Sequence, residues 1–462
     1  MDHRIGKRDR LYYGLWFLGE NIIWAYVILA PTFLLDIGID ATLASAILFG
    51  PKIWDAVNDT LFGFIVDKTR FRSREKFMPW IKAGSILISL TVLFMYAIPY
   101  DLKNEKVKIV WFVLGYLLMD GAYTLMDAPM FAMPTVMSAD MQERASLISA
   151  NRFCGIFGSI IATVIIPMIR PKLGWFVTAL ILSVISVLLM IPFLLKGKER
   201  ILSDEKQDKG YTFSQMISYV LHNRYLLISL LLIFVQGVTS VESVLSLIAA
   251  RNCLGGESKA TLLTAIALVP TFLMALMVPK LTEKYDKTRL ILIGLILSLF
   301  SSLALFVTGY DHFYLITFFM AIKGTGISFF LILSYILTAD SVEYGTYKTG
   351  TRANGITFSL QAFAVKMKNA LIGSISLFAL GLFGYDSSLG ESVRQSESVV
   401  KGIWAVYNLM PAIGSIFCIV ILLCFYHLRD KDVDVMAKYN NGMISKQEAE
   451  TRLADKHGPA GE

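Results

Sequence analysis

Long apolar segments, separated by short polar ones, run along almost the whole chain. A helix needs about 20 mostly apolar residues to cross a bilayer, and roughly twelve windows reach that length. The windows are 11–36, 41–66, 79–99, 107–138, 144–169, 174–195, 223–250, 260–281, 289–309, 313–339, 353–384 and 401–427. The pattern predicts an all-α integral membrane protein with about twelve transmembrane helices.

A polar segment near the middle of the chain divides these windows into two equal sets. The tetrapeptide Asp-Lys-Thr-Arg recurs at 67–70 and 286–289, after the second window of each set. The matching positions indicate a duplicated architecture. Transporters built from two such halves bind substrate near the membrane midplane, between the halves. We expect an N-terminal six-helix bundle, a central linker, a C-terminal six-helix bundle and a polar tail at 1–196, 197–222, 223–427 and 428–462.

The composition agrees with a membrane protein. Of 462 residues, 55% are hydrophobic and 17% are charged, whereas soluble globular chains carry about a quarter charged residues. The net charge of +7 comes mostly from Lys and Arg at the N-terminus, after the second window and in the linker. The positive-inside rule therefore predicts that both termini and the linker are cytoplasmic. We expect a multi-pass protein of a bacterial plasma (inner) membrane.

The basic charge does not call for a nucleic-acid partner, because membrane orientation explains charge confined to one side. The four cysteines show no metal-ligand spacing and are typical of small apolar packing residues. The sequence contains no phosphate-binding loop, zinc-binding helix or catalytic-triad motif. It therefore argues against an enzyme and against a bound cofactor.

One apolar window carries polar residues at helical spacing. Asp55, Asn58 and Asp59 lie within residues 44–66, and the spacing of four places both aspartates on one helix face. A carboxylate near a bilayer centre costs on the order of 3 kcal/mol. Because hard cations prefer oxygen ligands, the group predicts a Na⁺, Li⁺ or H⁺ site. The alternative is that both acids face water or pair with basic side chains.

Other charged residues lie inside the windows, and their sign differs between the halves. The first half contains Asp120, Asp127 and Arg152. The second half contains one acid and three bases, namely Glu242, Lys323, Lys366 and Lys368. Opposite charges facing each other across a cavity would compensate one another and could bind a polyhydroxylated ligand. Structural ion pairs that lock the two halves together are the other interpretation, and both stay open.

Helix-breaking residues accompany these charges. Pro129 and Pro134 follow Asp127 in the fourth window, and Gly324 and Gly326 lie in the tenth. Breaks in membrane helices free backbone groups that can line a cavity. We therefore expect the fourth helix to be interrupted and the tenth to be loosened at these points.

Several segments together resemble a known family. They are KIWDAVNDTLFGFIVDKTR at 52–70 followed by KFMPW at 76–80, YTLMDAPMFAMPT at 123–135 and ADSVEYGTYKTGTRANG at 339–355. Over nearly its whole length the chain resembles the glycoside–pentoside–hexuronide:cation symporters of the major facilitator superfamily. The resemblance implies two six-helix bundles that take up a sugar together with a cation by alternating access.

The resemblance also implies roles for individual positions. Asp55, Asn58 and Asp59, joined by the Thr124 hydroxyl, would coordinate the coupling cation. Asp55 and Asp59 would be metal ligands if that cation is Na⁺. The implied sugar site contains Asn21, Asp127, Phe131, Arg152 and Lys366.

Some positions depart from the family's sugar site. Asn21 stands where melibiose permease has an aspartate, and Phe131 and Leu331 stand where it has tryptophans. An amide still hydrogen-bonds hydroxyl groups, but the loss of the carboxylate and both indoles argues against α-galactoside specificity. The segment KTGTRANG resembles the pentoside and hexuronide branch, and Arg152 or Lys366 could pair with a uronate.

We therefore expect a symporter of a glycoside, pentoside, hexuronide or small oligosaccharide, driven by Na⁺ or H⁺. Its expected partners are the sugar, the coupling cation and the lipid bilayer, with a cytoplasmic regulatory protein as an open addition. No cofactor beyond the coupling ion and no nucleic acid are expected. A lysolipid-type carrier and a transport-dead sugar sensor of the same fold stay open as alternatives.

Overall fold

The computed structural model of the chain describes residues 5–51, 69, 75–138, 141–200, 223–350, 354–390 and 393–454. These described residues form helices and contain no β-strand. The α-helices, numbered here in chain order, are α1 (Lys7–Val27), α2 (Ala30–Asp36), α3 (Ala41–Pro51), α4 (Met78–Tyr96), α5 (Glu105–Met137), α6 (Met141–Lys196), α7 (Arg224–Thr239), α8 (Glu242–Cys253), α9 (Ser258–Thr282), α10 (Lys287–Thr308), α11 (Phe313–Thr349), α12 (Asn354–Leu382), α13 (Glu397–Phe425), α14 (Asp430–Asn440) and α15 (Lys446–Ala454).

Nine helical stretches among the described residues are long and apolar enough to cross a membrane. The stretch in α6, Ser146–Lys196, exceeds the length of one span. Gly174 breaks α6 with a φ of 73°, a conformation that glycine adopts without strain, so α6 is two helices joined at a kink. The all-α membrane architecture is confirmed. The predicted count of about twelve spans includes window 41–66, of which 52–66 lie outside the described residues.

The chain packs as two compact units that are not contiguous in sequence. Unit 1 contains Met1–Lys206, Ser243–Thr264 and Gly373–Ile403, and unit 2 contains Gln207–Glu242, Ala265–Ile372 and Trp404–Glu462. Segments from both halves of the chain therefore meet in unit 1. One example is the Thr32 hydroxyl of α2, which donates to the Val244 carbonyl of α8 at 3.3 Å.

In unit 1, α1 and α6 approach closely because small residues lie between them. A Cβ added to Gly158 would lie 2.5 Å from the Leu18 carbonyl oxygen, and one added to Gly19 would lie 2.6 Å from the Ser186 carbonyl oxygen. The Ser186 hydroxyl in turn donates to the Gly19 carbonyl at 2.7 Å. Small residues at such positions let membrane helices associate through van der Waals contact and hydrogen bonds.

Aromatic side chains fill the end of unit 1 where α1 and α4 finish. The Tyr96 and Trp175 rings stack with centroids 5.5 Å apart, and the Phe33 ring lies 4.8 Å from that of Tyr96. Tyr26 Oη donates to the Trp175 carbonyl at 2.6 Å, and Tyr96 Oη donates to the Tyr26 carbonyl at 2.9 Å. Each of these buried hydroxyls has an acceptor, so the cluster joins α1, α2, α4 and the kink of α6.

Unit 2 has its own apolar core, which extends to the polar tail. Its buried residues include Tyr225, Leu290, Leu333, Leu422 and Met436. The tail helix α14 packs on this core and is also held by polar contacts. Asn440 Nδ2 donates to the Glu343 carbonyl at 2.9 Å. Lys287 Nζ lies 2.5 Å from Asp340 Oδ2 and 3.3 Å from Asp430 Oδ1.

An acidic residue after the last long helix of each half caps the start of an earlier helix. The Glu199 carboxylate accepts hydrogen bonds from the amides of residues 76–78 at 2.6–2.8 Å, where α4 begins. Asp430 Oδ2 accepts from the Lys287 amide at 3.0 Å, where α10 begins. The first amides of a helix have no partner within the helix and attract negative charge. Each half of the chain therefore contains one acidic side chain that caps the N-terminus of an earlier helix.

The expected interruption of the fourth helix is wrong. Helix α5 continues through Pro129 and Pro134, and α11 continues through its Gly-Thr-Gly segment. Proline lacks the N–H that would bond the carbonyl four residues earlier, which for Pro134 is that of Met130. Tyr13 Oη of α1 donates to this carbonyl at 3.2 Å. A neighbouring helix thus satisfies the backbone group that Pro134 frees.

Candidate functional site

Buried polar side chains lie inside unit 1, on α1, α5 and α6. Glu20, within α1, is only 5% exposed. The adjacent Asn21 donates from Nδ2 to Glu20 Oε2 at 3.0 Å and to the Phe17 carbonyl at 2.9 Å. Ser159 Oγ of α6 donates to Asn21 Oδ1 at 3.2 Å. The Asn21 amide is therefore held from two helices, and it orients the Glu20 carboxylate.

Two residues of α5 complete the surroundings of Glu20. Tyr123 is a hydrogen-bond partner of both Glu20 and Asp127, and the two carboxyl groups interact electrostatically. Tyr123 and Asp127 are four residues apart and so share a helix face. A buried acid needs hydrogen-bond partners to offset its desolvation. The Tyr123 hydroxyl has a single proton, so it can donate to one of these two carboxyl groups at a time.

Tyr13 and Asn151 extend this group toward α6. Both side chains are buried, and Asn151 is a hydrogen-bond partner of the Tyr13 hydroxyl. The same hydroxyl contacts the Met130 carbonyl of α5, as described above. We name the whole set the polar cluster; it consists of Tyr13, Glu20, Asn21, Tyr123, Asp127 and Asn151.

Aromatic rings flank the polar cluster. The Trp24 ring stacks on Tyr123 with centroids 4.7 Å apart and 27° between the ring planes. Phe131 lies one turn beyond Asp127, 5.4 Å from the Phe17 ring, and is 53% exposed. Hydroxyls, amides and carboxyls beside aromatic faces can hydrogen-bond a polar ligand and pack against its apolar side.

Three of the four predicted cation ligands, Asp55, Asn58 and Asp59, lie outside the described residues. The fourth, Thr124, is buried on α5 next to Tyr123, and its Oγ1 donates to the Asp120 carbonyl at 3.1 Å. This is the usual bond of a helical threonine to the carbonyl four residues earlier. Within the described part of the chain, no group of three His, Cys, Asp or Glu side chains could hold a metal ion. The cation site stays a prediction.

The predicted sugar residues belong to both units. Asn21 and Asp127 belong to the polar cluster, and Phe131 lies on the same helix as Asp127. Arg152 follows Asn151 on α6, and its side chain is outside the description. Lys366 is an exposed residue of α12, in unit 2.

Unit 2 resolves one of the open questions about buried charge. Lys323 Nζ lies 2.7 Å from Glu242 Oε1 and 5.9 Å from the centroid of the Tyr407 ring. Both ions belong to unit 2, so Lys323 has an acid of its own half beside it. For this lysine the geometry supports a structural ion pair, formed within the second half and not between the halves.

Glu20 is the member of the polar cluster that was not predicted, although the sequence carries a signal for it. Glu20 is an acid inside the first apolar window, and the rule that selected Asp55 and Asp59 applies to it equally.

Known proteins resemble this chain over most of its length. A profile of the family described as MFS/sugar transport protein matches residues 13–430. The glucuronide carrier protein homolog of Escherichia coli (strain K12) is 26% identical over 465 aligned residues, which cover 96% of this chain and 99% of that protein. The uncharacterized symporter YjmB of Bacillus subtilis (strain 168) is 25% identical over 440 residues, covering 93% and 94%.

A solved D-xylose-proton symporter shares the fold. Its TM-score to this chain is 0.60 at 14% sequence identity, with 89% of this chain and 96% of that chain covered. At this identity the likeness concerns the fold alone. The family profile, by contrast, extends from α1 to the first residue of α14. The chain therefore belongs to the MFS/sugar transport protein family of the major facilitator superfamily.

Proposed function

We propose that this protein is a secondary active transporter that couples entry of a cation to uptake of a glycoside, pentoside, hexuronide or small oligosaccharide. Family membership supports sugar transport, and the relatives named as a symporter and as a glucuronide carrier homolog support coupled uptake. The observation that carries the proposal is the polar cluster, which lies buried among membrane-spanning helices.

The polar cluster has the chemistry that a sugar requires. Carboxyl groups such as those of Glu20 and Asp127 accept hydrogen bonds from hydroxyls, and the amide of Asn21 can donate or accept. Bonds to charged groups are the stronger ones. Trp24 and Phe131 offer aromatic surface to the apolar side of a sugar ring. Acidic residues inside membrane spans mark substrate or ion pathways by default.

Asp55, Asn58, Asp59 and Thr124 form the proposed cation site. A bound cation would neutralise the acids and favour the state that binds sugar, and such linkage is typically ~1–3 kcal/mol and reciprocal. One charge crossing 100 mV provides about 2.3 kcal/mol, enough for roughly a 50-fold sugar gradient. The proposal involves no cofactor beyond the coupling ion and no catalysed reaction.

The proposed topology places both termini in the cytoplasm. The six-helix bundles are 1–196 and 223–427, joined by a cytoplasmic linker and followed by the cytoplasmic tail. Positive charge in the N-terminus and linker supports this orientation. A cytoplasmic regulatory protein remains a prediction. Labelling of cysteines introduced at the N-terminus and in α15, from one side of intact cells, would test the orientation.

Transport itself is tested with energised membrane vesicles and labelled xylosides, glucuronides and galactosides, with and without a Na⁺ gradient at fixed pH. We expect one sugar class to accumulate above its external concentration. Stimulation by Na⁺ would identify the cation and the sugar class together, whereas accumulation that needs a pH gradient would identify a proton site. Vesicles without the protein are the control.

Absence of uptake for every sugar, by protein shown to be folded, would overturn the proposal. Two further measurements then distinguish the two alternatives. Binding of a sugar without transport would identify a sensor, and transfer of a labelled lysolipid would identify a lipid carrier.

A further inference from the structure

One lysine of unit 2 lies at the middle of a long membrane helix. Lys368 is 14 residues from either end of α12, Asn354–Leu382. At 1.5 Å per residue, each end of the helix is about 21 Å away. A lysine near a helix end can extend its ammonium group to the membrane interface, but from this position neither end of α12 is within reach.

The side chain of Lys368 packs against α7. A Cβ added to Gly237 would overlap Lys368 Cδ and lie 2.9 Å from its Cγ, so the glycine leaves the space that the lysine stem occupies. Gly237 is itself near the middle of the membrane-spanning stretch Arg224–Cys253. The positions on both helices therefore place the stem of Lys368 deep within the spanning part of unit 2.

Lys368 has no counter-ion in the part of the chain that the structure describes, where no hydrogen bond or ion pair joins it to another residue. Glu242, the one acid inside the second-half windows, is paired with Lys323 at 2.7 Å. The nearby Lys366 is exposed and has an interaction partner of its own. Charged side chains within membrane spans are costly and normally have a partner, and they mark substrate or ion pathways.

A buried amide next to Gly237 also lacks a partner. Gln236 is 4% exposed, and among the described residues neither its Nε2 nor its Oε1 has a hydrogen-bond partner. A buried amide costs free energy unless it is hydrogen-bonded. An ammonium group and an amide that lack partners within one part of unit 2 are groups that a polar ligand can satisfy.

The chemistry of these two groups suits an anion. The polar cluster provides residues of unit 1 only, whereas carriers built from two halves bind substrate with both. A lysine ammonium donates three hydrogen bonds and accepts none, so it binds a carboxylate more strongly than a hydroxyl. We propose that Lys368 and Gln236 form a subsite for the carboxylate of an acidic sugar, in which Lys368 selects a uronate over the neutral sugar. This inference rests on the proposed function and narrows its substrate class to sugar acids.

A structural ion pair at Lys368 can be distinguished from the subsite without a sugar. Loss of one partner of a buried pair leaves the other charge uncompensated and is strongly destabilising. Lys368→Met removes a charge without a counter-ion, so we expect the unfolding temperature of the sugar-free protein to stay unchanged or rise. Lys323→Met, which strands Glu242, is the matched comparison and should lower it. A decrease for Lys368→Met equal to that for Lys323→Met would overturn the proposal.

The direct test compares matched sugars that differ only in a carboxylate or a hydroxymethyl group. The pairs are phenyl β-D-glucuronide with phenyl β-D-glucoside, and phenyl β-D-galacturonide with phenyl β-D-galactoside. Calorimetry with the full-length protein in nanodiscs measures their binding. We expect the parent to bind one acid about tenfold to a hundredfold more tightly than its neutral counterpart. Lys368→Met should lose this preference and keep its affinity for the neutral sugar, and Lys348→Met, at an exposed position of α11, should behave like the parent.

Lys368→Gln is a second neutral variant for the case in which Lys368→Met does not fold. Parent protein without a preference for either acid, or a full preference in the folded Lys368 variants, would overturn the subsite. Loss of the preference in Lys366→Met alone would assign the carboxylate to Lys366 and would overturn it too. Vesicle uptake separates the two proposals. Uptake of neutral sugars without a preference for acids contradicts the subsite alone, whereas absence of uptake for every sugar contradicts the proposed function.

Discussion

Glu20 and Asp127 place two carboxyl groups within a single buried cluster, with Tyr123 as their shared partner. The Asn21 amide fixes the Glu20 carboxylate in position. A hydrogen bond to a charged group contributes about 1.5–3 kcal/mol. A carboxylate that binds a sugar hydroxyl would therefore change affinity roughly tenfold to a hundredfold.

We expect Glu20→Gln and Asp127→Asn each to raise the half-saturating sugar concentration by roughly tenfold to a hundredfold, because each removes a charged acceptor and keeps its shape. Initial uptake rates over a range of sugar concentrations give this value. Glu105→Gln, an exposed acid at the start of α5, is the matched control. Parent-like half-saturation in both cluster variants would exclude their contact with the sugar.

Substitution of the proposed cation ligands should affect sugar accumulation and not sugar affinity. We expect Asp55→Cys and Asp59→Cys to abolish accumulation of sugar against a gradient while leaving exchange down a gradient, because coupling is lost and the sugar site remains. Counterflow and energised uptake measure the two processes separately. Asp434→Cys on the exposed side of α14 is the control. Full accumulation by both variants would contradict the assignment.

At the residue scale, sequence and resemblance reached part of the site. Asn21 and Asp127 were predicted, while Glu20 was missed despite being an acid in an apolar window. A second group of charges in unit 1 could not be predicted, for a physical reason. Its contacts join Asp36 to Arg170 and Arg251, which are 134 and 215 residues away in the chain. Only the folded arrangement brings such charges together.

Close approach between helices depends on glycine in both units. At Gly158 the α1 backbone occupies the space of a side chain, and at Gly294 a Cβ would lie 2.5 Å from the Gly326 carbonyl oxygen. Such contacts are tight enough that one added carbon must push two helices apart. Substitutions at these few glycines are therefore expected to destabilise the protein.

We expect Gly158→Ala to lower the free energy of unfolding by about 1–3 kcal/mol, because the methyl group overpacks the contact with α1. Thermal unfolding of the purified protein in detergent measures the change. Gly50→Ala is the control, since no heavy atom lies within 4 Å of a Cβ added there. Equal destabilisation by both substitutions would argue against a packing origin.

Tyr13 has a backbone role that is testable in the same assay. Tyr13→Phe removes the donor to the Met130 carbonyl that Pro134 leaves unbonded, and an unsatisfied buried acceptor costs about 1–3 kcal/mol. We expect that loss of stability. Tyr314→Phe, at an exposed position, should leave the unfolding temperature unchanged. No difference between the two would show that another group satisfies the carbonyl.

At the element scale, long helices were predictable because each span needs a long apolar run. The fourth window, 107–138, corresponds to α5 at Glu105–Met137. Continuity through Pro134 was not predictable, because it depends on a hydroxyl from α1. The kink at Gly174 also falls at the boundary between the predicted fifth and sixth windows, 144–169 and 174–195.

At the scale of the whole molecule, the N-termini of α4 and α10 are capped in the same way, one in each half of the chain. Glu199 and Asp430 each follow the last long helix of a half and bind the first amides of an earlier one. The repeated Asp-Lys-Thr-Arg segment predicts a duplicated architecture, and the caps are a second likeness between the halves. The composition of unit 1 was not predictable, because its segments Ser243–Thr264 and Gly373–Ile403 come from the second half.

The ion pairs that Asp36, Arg170, Arg251 and Glu257 form in unit 1 have a consequence for biogenesis. Synthesis proceeds from the N-terminus, so Asp36 and Arg170 are made before Arg251 and Glu257 exist. Asp36 and Arg170 lie 3.1 Å apart, and Arg251 and Glu257 lie 2.7 Å apart, so each half brings an acid together with a base. Each half can therefore enter the bilayer with these charges balanced, and the nascent chain need not wait for its second half to neutralise the first.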